Sequence, residues 1–115
     1  MPDETQMPLA KRVPCLPGLP EAKAFVRSLY PDADLVLFGS CARGDAKAGS
    51  DIDLCIVIDR ADRRIVDIMT DFHQSLSVLL DRALDLVVFE RETFDERKNA
   101  GASFERAIAE EGIAV

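Results

Sequence analysis

Two aspartates separated by a single residue, Asp51 and Asp53, have the type and spacing to bind a divalent cation. They open the apolar segment Ile52–Ile58, which is typical of a buried strand. Side chains alternate between the two faces of a strand, so both carboxylates project from the same face. Two like charges side by side disfavour folding unless a cation joins them, and magnesium prefers carboxylate oxygens together with substrate phosphates. The pair therefore predicts a magnesium site.

A third acid, Asp85, lies in the apolar segment of residues 84–89, where a solvated strand face would carry several polar residues rather than one. If this strand neighbours Ile52–Ile58, Asp85 completes a group of three carboxylates. Such a group can hold two magnesium ions about 3.5–4 Å apart, which stabilise the entering and leaving oxygens of an in-line phosphoryl displacement. The alternative is that Asp85 is an acid tolerated at a sheet edge.

Gly39 and Ser40 end another apolar segment, residues 35–38, where a strand gives way to a short helix. Unpaired backbone N–H groups at such a junction, together with the Ser40 hydroxyl, can bind a triphosphate. Gly39 lets the backbone approach a phosphate closely because it has no side chain. This junction therefore predicts a binding site for phosphate groups.

The composition limits the class of protein. The chain has 115 residues, 48% of them hydrophobic and 30% charged, which indicates one globular domain. We expect no membrane partner, because no apolar run approaches the roughly 20 residues of a spanning helix. We expect a cytoplasmic protein, because the first twenty residues do not have the apolar region of a secretory signal. The net charge of −7 argues against direct binding of nucleic acid through a broad basic surface. Three cysteines without metal-ligand spacing predict neither a disulfide framework nor a zinc site.

The hydrophobic pattern predicts the elements that position these side chains. Residues 1–19 contain four prolines and are expected to form an irregular arm before a domain of residues 20–115. The pattern of the domain predicts this order of elements: a helix from Pro20 to Tyr30, a strand at 35–38, a short helix, a strand at Ile52–Ile58, a long helix at 62–82, a strand at 84–89, and a helix at 92–112 broken near 99–101. This order predicts the α/β (α+β) class, a small mixed β-sheet with helices packed on it, but leaves the strand order open.

Several side chains carry specific expectations. Asp62 is expected to cap the long helix, whose apolar stripe runs over residues 65–79. The residues expected to pack the last helix are Phe104, Ala107 and Ile108, with Gly112 as its cap. The acids expected to face solvent there are Glu105, Glu110 and Glu111. Cys41 and Cys55 are expected to be small buried hydrophobic residues.

The segment from Gly39 to Asp53 resembles the motif of the nucleotidyltransferase superfamily that includes DNA polymerase beta. That motif is Gly-Ser followed about ten residues later by Asp-x-Asp, and here ten residues separate Gly39-Ser40 from Asp51. Asp85 falls where the family has its third carboxylate. The resemblance implies a nucleotidyltransferase-like fold over the domain.

Arg43 and Ser50 make the segment similar to the minimal nucleotidyltransferases of bacteria and archaea. The nucleotide-binding residues that we predict are Gly39, Ser40, Arg43 and Ser50. Two of these assignments have alternatives. Arg43 could instead pair with a neighbouring acid, and Ser50 could instead cap the turn into the strand.

The resemblance also implies an activity: transfer of AMP from ATP to an acceptor hydroxyl with release of pyrophosphate, supported by two Mg²⁺ ions. Asp51 and Asp53 would bind both ions, and Asp85 would bind the ion that activates the acceptor. Many minimal members pair with a HEPN-type toxin as its antitoxin and adenylylate a tyrosine of the toxin, so we expect such a partner in a hetero-oligomer. A non-catalytic antitoxin and an enzyme acting on a small molecule stay open as alternatives.

Overall fold

The structure is a computed structural model, and it describes residues 17–39 and 51–115. Within these residues the chain forms four helices and four strands. In chain order they are α1 (Leu19–Leu29), β1 (Asp34–Phe38), β2 (Ile52–Ile58), α2 (Ile65–Leu80), β3 (Leu84–Glu90), α3 (Arg91–Asn99), α4 (Ser103–Glu111) and β4 (Ile113–Ala114). The predicted arm up to residue 16 and the predicted short helix after β1 lie outside the described residues.

The four strands form one mixed sheet in the order β3-β2-β1-β4. β2 pairs with β3 in parallel and with β1 in antiparallel orientation. β4, which the sequence pattern did not predict, adds two residues to the free edge of β1 by pairing with Val36 and Leu37. The mixed sheet with packed helices confirms the predicted α+β class.

One face of the sheet is covered by α1 and α2. The β2 side chains on this face are completely buried, namely those of Ile52, Leu54, Ile56 and Ile58. Ile68, Phe72 and Leu76 of α2 pack against the same cluster. Burial of each of these side chains contributes about 1.5–3 kcal/mol to folding, so this face anchors β2 firmly.

The start of α2 differs from the expectation. The helix begins at Ile65 with Arg64 at its N-cap, three residues after Asp62. The carboxylate of Asp62 instead accepts a hydrogen bond of 2.6 Å from the Tyr30 hydroxyl. The prediction of an Asp62 cap was therefore wrong, because a long-range partner engages this side chain.

The opposite face of the sheet is covered by α3 and α4. Cys55 and Val57 of β2 pack there against Phe94 of α3 and Ile108 of α4. Cys55 is a free and fully buried cysteine, which confirms the prediction that it is a small buried hydrophobic residue. This second cluster positions α4 over the sheet face from which Asp53 projects, since Asp53 and Cys55 are two residues apart on one strand.

The packing of α4 differs from the expectation at three positions. Ile108 is buried as predicted, whereas Phe104 is 46% exposed and Ala107 is exposed. Glu105, expected to face solvent, is only 4% exposed. Its carboxylate lies 3.5 Å from the guanidinium of Arg97 on α3, which partly compensates for the burial of its charge.

Two further features bear on the sequence expectations. Gly112 follows α4 in an extended conformation rather than a left-handed one, and a side chain there would collide with Val36 and with the Ile108 carbonyl. Gly112 is therefore needed for the close passage of the chain into β4. None of the helices formed by residues 17–39 and 51–115 is long and apolar enough to cross a membrane.

Candidate active site

Asp53 and Asp85 are paired residues of neighbouring strands. β2 and β3 are parallel neighbours, and their register pairs Asp53 directly with Asp85. Neighbouring strands are about 4.8 Å apart, and paired residues project from the same face of the sheet. The strand of Asp85 therefore neighbours the strand of Asp53, as a group of carboxylates at this site requires.

Asp51 lies immediately before β2 and is exposed. Its side chain would project from the same face as Asp53 if the alternation of β2 continued to residue 51. Among residues 17–39 and 51–115, no three His, Cys, Asp or Glu side chains are close enough together to hold a metal ion. The grouping of Asp51 with the other two carboxylates thus stays a prediction.

Gly39 packs directly against the Asp53 carboxylate. It follows Phe38, which is the register partner of Asp53 on β1. The φ angle of Gly39 is 69°, in the left-handed region that side chains disfavour. A Cβ atom added at this position would overlap the carboxylate and lie 2.9 Å from the Asp53 Cγ atom. The glycine of the Gly-Ser pair and the second aspartate of the Asp-x-Asp pair therefore form one contact.

The other predicted nucleotide-binding residues, Ser40, Arg43 and Ser50, lie outside the described residues, as does Cys41. Gly39 and Asp51, which flank residues 40–50, lie close together, because Gly39 contacts Asp53 and Asp51 is two residues before Asp53. The roles of Ser40, Arg43 and Ser50 stay predictions.

The sequence did not predict the interaction between Glu105 of α4 and Cys55 of β2. Glu105 is buried over the same sheet face as Asp53, and its charge acts on the Cys55 thiol. Burial is the main cause that raises the pKa of Cys55 to about 12, and the Glu105 carboxylate adds to it. The helical spacing of Phe104 and Ile108 already places residue 105 near the sheet, which is the signal that could have identified it.

The complete burial of Cys55 and the raised pKa of its thiol predict that it is unreactive in the folded protein. The thiolate is the form that alkylates, and the folded chain holds the thiol protonated well above its ordinary pKa of 9.0. We expect mass spectrometry to find Cys55 unmodified after iodoacetamide treatment at pH 8, and modified once urea is added. Between pH 9 and 12 the Cys55 thiol loses its proton in the unfolded chain but keeps it in the folded chain. The free energy of unfolding should therefore fall as the pH rises through that range. Rapid modification of native protein would contradict the assignment.

The paired carboxylates have the chemistry that magnesium requires. Magnesium is usually bound through one or two carboxylates, with waters and substrate phosphates completing its coordination. Asp53 and Asp85 supply two adjacent carboxylates, and both belong to strands of the sheet. Because Gly39 has no side chain, phosphate groups could approach the backbone beside Asp53. These residues fit a divalent cation shared between the protein and a polyphosphate.

The fold and the carboxylate pair define the class of protein. A family profile described as the nucleotidyltransferase domain matches residues 19–115. The chain belongs to this family and is an enzyme of the nucleotidyltransferase class.

A curated relative narrows the class further. The chain is 36% identical over 78 residues to a protein of Methanocaldococcus jannaschii whose name describes it as a candidate protein adenylyltransferase. The aligned region spans 68% of this chain and 72% of the relative. Both comparisons confirm the minimal nucleotidyltransferase that the sequence motif predicted.

Proposed function

We propose that this enzyme transfers AMP from ATP to a tyrosine hydroxyl of a HEPN-type toxin and thereby acts as its antitoxin. The observation that carries the chemistry is the pairing of Asp53 with Asp85, with the backbone of Gly39 packed against the first of them. The choice of a protein as acceptor is supported by the name of the archaeal relative. The choice of a HEPN-type partner is supported by the resemblance of the segment from Gly39 to Asp53 to minimal nucleotidyltransferases.

In the proposed reaction, the acceptor oxygen forms a bond to the α-phosphorus of ATP. The bond from that phosphorus to the bridging oxygen of pyrophosphate breaks, and pyrophosphate leaves with the bonding electron pair. The hydroxyl proton passes to a carboxylate oxygen of Asp85, which is exposed and can release it to water. Asp53 and Asp85 would hold magnesium, which would neutralise charge that develops on the phosphate oxygens.

The test co-expresses this chain with a HEPN-type protein and purifies the complex. The purified complex is incubated with ATP and Mg²⁺, and the partner is examined by tandem mass spectrometry. We expect a tyrosine of the partner to gain one AMP group, and we expect Asp85→Asn to abolish this gain. Asp95→Asn is the matched control, because Asp95 lies on the surface of α3 and pairs with Lys98.

Two outcomes would contradict the proposal. If the partner stays unmodified while the complex is stable and the toxin is neutralised, the chain is an antitoxin that acts by binding. If the partner stays unmodified while a small hydroxyl compound in the same reaction gains AMP, the acceptor is a small molecule.

A further inference from the structure

A cavity of about 150 Å³ lies between the end of β1 and α4, beside the carboxylates. The residues that line it are Phe38, Gly39, Phe104, Ala107, Ile108 and Glu111. The last four follow helical spacing, so they form one face of α4. Most of the lining residues are apolar, and Glu111 is the one acid among them.

The aromatic rings of the cavity are suited to contact a planar group. Phe38 and Phe104 meet edge to face, with their ring centroids 5.8 Å apart and an interplanar angle of 88°. Phe104 remains 46% exposed although it is a large hydrophobic residue. A planar ligand entering the cavity would cover this exposed ring, which favours binding through apolar burial and stacking.

The cavity is continuous with the reacting site. Phe38 is the register partner of Asp53, and the neighbouring Gly39 touches the Asp53 carboxylate. Both residues also line the cavity. A ring held there would therefore belong to a molecule whose next groups reach Asp53.

The strand order separates the two substrates. β1 lies on one side of β2 and β3 lies on the other, so the cavity and Asp85 flank Asp53 from opposite sides. The proposed reaction places the acceptor hydroxyl beside Asp85. The side of Asp53 that the cavity occupies is then left for the nucleotide.

We propose that the cavity between β1 and α4 binds the purine base of the nucleoside triphosphate. This assignment rests on the proposed function. Phe104 stacks on the base, Phe38 packs against its edge, and Ala107 leaves the space that the ring enters. A larger cavity of about 340 Å³ is lined by His73 and Leu86 among others. It lies on the face of the sheet covered by α2, which is the opposite face from Asp53, so it is not a candidate for binding the base.

Calorimetric titration of the protein in Mg²⁺ without an acceptor tests this assignment. Two ligands are compared: ATP, and inorganic tripolyphosphate, which lacks the base. We expect wild type to bind ATP more tightly than tripolyphosphate. We expect Phe104→Ala to weaken ATP binding about tenfold, because base stacking on an aromatic ring is lost, and to leave the Kd for tripolyphosphate unchanged. Ala107→Trp should have the same effect by filling the cavity.

Val66→Ala is the matched control, since Val66 is 51% exposed on α2 and should leave both Kd values unchanged. Unchanged ATP binding in Phe104→Ala and Ala107→Trp would overturn the assignment of the base. If those variants bind ATP normally but lose transfer, the cavity holds the acceptor instead, and the proposed function survives. If wild type binds neither ligand, the proposed function fails and this assignment fails with it.

Discussion

We expect Asp53→Asn to lower the rate of the proposed AMP transfer by about a thousandfold, because the reaction would lose several kcal/mol of charge stabilisation at the phosphate. Asp53 is at the centre of the candidate site, between Asp85 on β3 and Gly39 after β1. Asparagine has nearly the same shape, so the contact with Gly39 and the fold should be kept. The measurement is the initial rate of transfer to the partner at saturating ATP.

The matched control for this change is Asp67→Asn. Asp67 lies on the surface of α2, where it pairs with Arg64, on the face of the sheet away from the site. It should transfer AMP at the wild-type rate. Equal rates in Asp53→Asn and Asp67→Asn would show that the carboxylate of Asp53 is not required.

Gly39→Ala is expected to reduce transfer by about a hundredfold while the protein still folds. The new methyl group would overlap the Asp53 carboxylate, so that carboxylate must move. A misplacement of about 1 Å in a catalytic group can cost this much. The left-handed conformation at Gly39 adds about 1–2 kcal/mol of destabilisation. Transfer rates and urea unfolding curves measure the two effects separately.

Gly101→Ala separates backbone strain from the effect on the site. Gly101 has a φ angle of 90°, and a Cβ atom added there would meet no atom within 4 Å. This variant should lose similar stability and retain its activity. If both glycine variants retain activity, the contact between Gly39 and Asp53 has no catalytic importance.

The sequence predicted the parts of the fold that depend on local patterns. β2 begins and ends where the segment Ile52–Ile58 does, because six of its seven residues are hydrophobic, which is typical of a strand buried on both faces. α1 begins within a residue of Pro20, since proline is favoured in the first helical turn. The motif that joins Gly39 to Asp53 predicted the family, which the comparisons confirm.

Features that depend on long-range pairing could not be predicted. The two residues of β4 are too few to show a pattern, and they form a strand only because the edge of β1 is available. Asp62 is engaged by Tyr30, which is 32 residues away in the chain. Glu105 is buried because α4 packs beside α3, where Arg97 can reach it. The pairing of Asp53 with Asp85 likewise required the strand order, which the pattern left open.

Label transfer from ATP tests the central claim most directly. The purified complex is incubated in Mg²⁺ with ATP labelled at the α-phosphate and, in a parallel reaction, with ATP labelled at the γ-phosphate. We predict that the partner acquires the α-label, that it does not acquire the γ-label, and that pyrophosphate is released in equal amount. Acquisition of the γ-label, or release of pyrophosphate without labelling of any acceptor, would contradict the assignment of this chain as a protein nucleotidyltransferase.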